Sequence, residues 1–233
     1  MRNYALYISA VFLTVVISIS SLLAETGTTD TVALGVNWLK KLEDKHQETR
    51  TFTGEFDQLM KSELFLEEIE SEGKFWYEKP GRFRCEYEPP NEQVNLVVDD
   101  LAYVYIPEIK QVEIYHFDRG ESGVKRINRM LLGFGISVEE VLDVYEVRFV
   151  PEEETENTVS LYFKPRKEGQ GVDFKAAKLW VDKKSLLPQK LVFLQEGGDK
   201  TIITLKDIKF NKKIKQSLFK PDFPRDAEVI EQY

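Results

Sequence analysis

Two periodicities of apolar and polar residues divide the chain. From Thr31 the apolar residues Val32, Val36 and Leu39 recur at helical spacing ahead of the charged stretch KKLEDKHQETR, which predicts one amphipathic helix to about Glu48. The period then becomes two: Phe52, Gly54, Phe56 and Gln58 alternate with Thr51, Thr53, Glu55 and Asp57. Further strand-like runs cover residues 70–78, 82–88, 93–98, 102–106 and 112–117. Asp99 and Asp100 mark a tight turn between two of these runs, and Pro107 closes another.

The alternation breaks at DRGESGVKRINRMLLGFGISVEEVLDVYE. Val124, Ile127, Met130 and Leu131 return to helical spacing, and Gly133 and Gly135 interrupt it. Ser137 and Glu140 then have the spacing of a capping box, which predicts the start of another short helix. Strand signals resume at 146–150, 159–164, 174–181, 189–195 and 201–210, separated by the turn-rich segments PEEETEN, PRKEGQG, DKKSLLP and EGGD.

The stretch KFWYEKPGRFRCEYEPP carries the most register information. A two-residue loop would pair Lys79 with Arg82 and bring Tyr77 onto the face of Arg84, mixing aromatics with charges. An odd-length loop around Pro80 and Gly81 pairs Glu78 with Arg82 instead and gathers Phe75, Tyr77, Phe83, Cys85 and Tyr87 on one face. The hydrophobic pattern therefore favours the odd loop.

About ten to eleven strands with one apolar face must be covered, and three short helical segments are available to do so. The helices are inserted between two groups of strands, an order that fits a sandwich poorly. The expected fold is mainly β with α: an unclosed, strongly bent antiparallel barrel, lidded by the N-terminal helix and the short inserted helices, enclosing an apolar cavity. Phe52, Phe56, Phe75, Tyr77, Phe83, Cys85 and Tyr87 are expected to line that cavity, with Val36, Leu39, Met130, Leu131 and Phe134 on the lid.

The N-terminus adds a compartment. Arg2, the uncharged apolar run 4–24 and the small residue Ala24 ahead of Glu25 read as a secretory signal peptide over 1–24, followed by a single domain over 25–233. The run is long and Leu22 is bulky for its place before the cut, so an uncleaved membrane anchor is the alternative. No cysteine stands near the boundary, which argues against a lipid-modified N-terminus. With the single cysteine Cys85, the chain forms no internal disulfide and depends on packing.

Charge and motifs narrow the function. The net charge of −8 becomes −9 when Arg2 leaves, which disfavours a nucleic-acid partner; the basic stretch KFNKKIK reads as a solvated strand end. His46 and His116 have no metal-ligand spacing with Cys85 or with each other, and each reads as a surface or edge residue. No nucleophile with a neighbouring base, phosphate-cradling loop or zinc-protease helix is present, so nothing in the sequence points to an enzyme, a metal or a cofactor. The acidic run 152–156 reads as a solvated turn.

Several segments together resemble the LolA family of periplasmic lipoprotein carriers. They are FTGEFDQ, GKFWYEKPGRFRCEY, VVDDLAYVYIPEIKQV, the LLGFG insert, LWVDKKSLLPQKLVF and the C-terminal FKPDFPRDAEVI, in the family's order. The resemblance implies an unclosed β-barrel lidded by helices. It also implies a periplasmic monomer that takes triacylated lipoproteins from an inner-membrane lipoprotein-releasing ABC transporter, shields their acyl chains and passes them to an outer-membrane acceptor. By position, Lys79 falls where the family commonly has an arginine that holds the lid through backbone carbonyls; Arg84 is the second candidate for that latch. Lysine lacks the planar guanidinium fork, so the latch implied here is differently built. Cys85 stands where a large aromatic is common and is expected to act as a small apolar filler. The competing readings are a half-barrel envelope-stress sensor that binds a regulatory membrane protein, and a membrane-tethered lipid-binding relative held by an uncleaved 4–24.

Overall fold

The computed structural model describes residues 30–63, 67–117, 132, 137–167 and 174–232, all but Asp30 within the unit Thr31–Tyr233. Helix α1 (Thr31–His46) leads into six strands: β1 (Thr51–Ser62), β2 (Glu67–Glu78), β3 (Arg82–Tyr87), β4 (Gln93–Val98), β5 (Leu101–Ile106) and β6 (Gln111–His116). Helix α2 (Val138–Val144) precedes β7 (Tyr145–Phe149), β8 (Thr158–Pro165), β9 (Ala176–Asp182), β10 (Pro188–Leu194), β11 (Lys200–Phe210) and β12 (Glu228–Gln232).

All of these strands form one twelve-stranded sheet in the order β12-β6-β5-β4-β3-β2-β1-β11-β10-β9-β8-β7. Its ends, β12 and β7, do not pair, so the sheet is unclosed, as the alternation and the inserted helices led one to expect. Two meanders meet where β1 pairs antiparallel with β11, and a register shift between Thr53 and Glu55 bends β1 along that seam. The hairpin between β2 and β3 has the odd loop: Glu78 pairs with Arg82, Tyr77 with Phe83 and Phe75 with Cys85. Asp99, at φ 55°, and Asp100 form the two-residue turn that pairs Val98 with Leu101.

One strand lies beyond the expected count. β12, which begins inside the C-terminal motif FKPDFPRDAEVI, adds in parallel to the edge of β6, with Ile230 opposite Glu113. All other strand pairs are antiparallel.

Cross-strand register carries one face across the sheet. Phe149, Leu161, Leu179, Leu191 and Ile203 are successive partners from β7 to β11, and Ile203 is opposite Gln58 on β1. Over the β7–β11 half this face is covered by α1 and α2 and forms a core that includes Tyr145, Phe163 and Leu179. Helix α1 sits close on β7, because a Cβ at Gly35 would lie 3.0 Å from the backbone of Arg148 and Phe149. Its buried stripe is Gly35, Leu39, Leu42 and His46, whereas Val32 is 44% exposed. The expected stripe through Val32 was therefore rotated, since close approach to β7 selects the glycine side. The capping box is present as expected: the Glu140 amide donates to the Ser137 hydroxyl, and the Ser137 amide to the Glu140 carboxylate.

The opposite face of β2–β5 is covered by the C-terminal segment. Leu96, Ile214 and Phe219 are buried there with Trp76, Tyr103 and Phe223 against them. The expected helix around 124–131 lies outside the described residues.

Candidate functional site

On β1–β4 the helix-covered face becomes aromatic. Phe52, Phe56, Phe75, Tyr77, Cys85 and Val97 form a buried cluster, with Phe83, Tyr87, Phe117 and Phe210 packed against it. The register explains the gathering. Phe52 is opposite Tyr77, Tyr77 opposite Phe83, and Phe83 opposite Val97, so one side of each strand contributes. Phe52 packs against Tyr77 with centroids 4.8 Å apart and edge-on to Phe75 at 5.8 Å, while Phe56 meets Tyr87 edge-on at 5.1 Å.

Two glycines admit these rings. Gly54 is opposite Phe75 and Gly73 opposite Phe56. A Cβ at Gly54 would lie 2.9 Å from the Phe75 ring, and one at Gly73 would lie 2.7 Å from the Phe56 ring. Each ring thus folds over the bare backbone of the partner strand.

All seven residues expected in the cavity are brought together: five are buried, and Phe83 and Tyr87 are half-buried at the edge. The polar atoms among them are adapted to dryness. Tyr77 is 1% exposed and its hydroxyl pKa is pushed up to about 12 by burial. Burial likewise pushes the Cys85 thiol up to about 12. Burial raises the Tyr87 hydroxyl further, and that hydroxyl donates to Gln58 Oε1 at 3.0 Å. Ile203 and Leu205 belong to both this cluster and the core beneath the helices, so the two are continuous across β11.

Of the expected lid residues, Leu39 is buried and Val36 half-buried in the core over β7–β11, one step across the sheet from the aromatic cluster. Met130, Leu131 and Phe134 lie outside the described residues. Lys79 is at the hairpin loop, and its ammonium donates to the carbonyl of Gln47, just past the end of α1, at 3.4 Å. Partial burial lowers the Lys79 pKa, opposed by Glu140 on α2. The loop is therefore joined to the helix that covers the sheet.

Arg84 is placed differently from expectation. It lies between the inward Phe83 and Cys85 and so projects to the opposite face, where its guanidinium donates to the carbonyl of Leu218 at 3.1 Å and to Glu86 at 2.5 Å. It holds the C-terminal segment rather than α1.

His46 also departs from the surface position expected of it. It is 3% exposed, 2.9 Å from the carbonyl of Leu186 through Nε2, and its ring lies 4.8 Å from that of Phe210. Burial lowers its pKa. The signal for this was in the sequence, since His46 follows Leu39 and Leu42 at helical spacing, but a histidine there is ambiguous between core and surface. His116 is at the edge, paired with Glu231 of β12.

A family model described as outer membrane lipoprotein carrier protein LolA matches residues 47–222. The chain belongs to the LolA family. Among curated relatives, the outer-membrane lipoprotein carrier protein of Chromohalobacter salexigens is 27% identical over 182 residues, covering 78% of this chain and 81% of that one. The protein of the same description from Legionella pneumophila is 27% identical over 192 residues, covering 82% and 88%. The unclosed sheet is also similar to a crystal structure of a conserved protein from Thermus thermophilus, with TM-score 0.50, 15% identity and coverage of 84% and 98%, a likeness of fold alone. The matched LolA-family region contains β1–β11, and hence every strand that contributes to the aromatic cluster.

Proposed function

We propose that the chain is a periplasmic carrier that accepts triacylated lipoproteins from an inner-membrane ABC transporter, shields their acyl chains and delivers them towards the outer membrane. Residues 1–24 are its export signal in this reading. The single observation that carries it is the aromatic face on β1–β4 of an unclosed sheet, in a chain of the LolA family.

The physics of the task suits that face. Three fatty chains expose roughly 40 methylenes, each worth about 0.8 kcal/mol, so water contact would cost tens of kcal/mol. A carrier must offset most of this and still release its cargo. Phe52, Phe56, Phe75, Tyr77, Phe83, Cys85 and Tyr87 supply apolar surface with no ionised group at neutral pH. The ring of Phe83 and the edge of Tyr87 are where an acyl chain enters, and α1 with the Lys79 contact is the element that shifts. A carrier of this kind needs only a small free-energy difference between covered and opened states, because cargo stabilises the latter.

Native mass spectrometry of the protein purified from an envelope extract tests this reading. A bound, solvent-extractable triacylated lipoprotein is the expected result. A free lipid would move the function to lipid transport, and an empty protein co-purifying with a membrane regulator would favour the sensor.

A further inference from the structure

The face that carries the aromatic cluster does not stay apolar to its edge. Outward from Cys85 its cross-strand partners are Asn95, Val104 and then Glu113. Outward from Tyr87 they include Gln93, which donates through Nε2 to Asn95 Oδ1 at 2.6 Å. On β6, Gln111 Nε2 donates to Glu113 Oε1 at 2.8 Å, and the Tyr115 hydroxyl donates to Glu113 Oε2 at 2.5 Å. Gln93, Asn95, Gln111 and Glu113 are all half-buried. Among the described residues, Glu113 makes no salt bridge.

This wing differs from the other solvated faces of the sheet. Those are built of opposite charges, such as Lys74 with Glu88 and Lys206 with Asp57. The inward side of β4–β6 has no lysine or arginine. It offers carboxamide N–H donors, because each amide has two and the bonds above use one from Gln93, one from Gln111 and neither of Asn95's, together with the Glu113 carboxylate as acceptor.

We propose that this polar wing receives the neutral ester-and-amide junction of an acylated cysteine, and that the Glu113 carboxylate turns away anionic glycerophospholipids. The inference rests on the carrier reading above and deepens it from acyl chains to head group. Ester carbonyls of the junction accept from the Gln93, Asn95 and Gln111 amides, while a peptide N–H donates to Glu113. A phosphodiester has no N–H to offer and brings a negative charge next to Glu113. In this half-dry setting that repulsion is several-fold stronger than in bulk water. Specificity then comes from a repulsive element as well as an attractive one.

The test is a competition. The full chain and its Glu113→Gln and Asn95→Leu variants are incubated with mixed micelles of two lipids of equal acyl length: a synthetic triacylated cysteinyl tetrapeptide, uncharged and C-terminally amidated, and phosphatidylglycerol. Native mass spectrometry reads the ratio bound. The native chain should favour the lipopeptide. Glu113→Gln should raise the phosphatidylglycerol share about tenfold, or about 1.4 kcal/mol. Asn95→Leu should weaken lipopeptide binding more than phosphatidylglycerol binding, because the Glu113 charge already keeps the phospholipid's junction off the wing. A ratio unchanged in both variants overturns the inference and leaves the carrier reading standing. A native chain that takes up neither lipid overturns the carrier reading and this inference with it.

Discussion

The ring of Phe56 lies across the bare backbone of Gly73. A Cβ built at Gly73 would come within 2.7 Å of that ring and 2.2 Å of the Glu86 carbonyl oxygen. The ring is flexible and the carbonyl is not, because it belongs to β3 beside it. Gly73→Ala should therefore lower stability towards the upper end of about 1–3 kcal/mol. The double variant with Phe56→Leu should recover little, since the carbonyl clash remains. Urea midpoints with an unchanged slope measure both; a loss below about 0.5 kcal/mol would mean that β2 and β3 yield easily here.

The bond from Lys79 to the Gln47 carbonyl is long and partly solvated, so it is worth about 0.5–1.5 kcal/mol. Lys79→Ala should speed amide hydrogen exchange at the end of α1 by up to about tenfold, and Lys79→Arg should preserve or slow it. Equal exchange in all three proteins would remove Lys79 as a latch.

His46 gives the fold a pH dependence of definite sign. Its folded-state pKa is lowered from 6.5 by burial, so the unfolded chain takes up the proton first. Stability should be full above about 6.5 and fall as pH drops below that value. The slope of denaturant midpoint against pH between 7.5 and 5 should flatten in His46→Gln, whose amide can still donate to the Leu186 carbonyl. An unaltered slope would assign the acid sensitivity to other groups.

Cys85 should be nearly inert in the folded protein. With the thiol pushed up to about 12, about 10⁻⁴ of it is ionised at pH 8, and thiolate is the reacting form. Alkylation should proceed at the rate of unfolding and rise steeply with urea. Rapid labelling without denaturant would show that the aromatic face opens to water.

Phe83 is half-buried at the edge of the cluster, so a charge there can reach solvent. Phe83→Glu should cut loading of a triacylated lipopeptide at least about tenfold, with thermal unfolding little changed. Undiminished loading would place Phe83 outside the lipid site.

Local chemistry determined much of this protein before any fold was known. Period-two alternation assigned Phe75, Tyr77, Phe83, Cys85 and Tyr87 to one face, and keeping charges off that face required Glu78 to pair with Arg82, as it does. Ser137 and Glu140 announced their helix through the capping bonds they make. These features are legible because they depend on neighbours a few residues apart.

Only the tertiary structure decided the rest. β12 pairs in parallel with β6 between residues 117 positions apart, and any exposed strand edge offers the same N–H and C=O groups, so no local pattern selects that partner. Arg84 turned to Leu218 because the C-terminal segment covers the outer face of β3, and His46 was buried because α1 ends over Phe210 and the Leu186 loop. The half-polar wing through Asn95 and Glu113 emerged for the same reason. Alternation shows that Gln93, Asn95 and Val97 share a side, but only the pairing of β3 with β4 places that side against the aromatic rings.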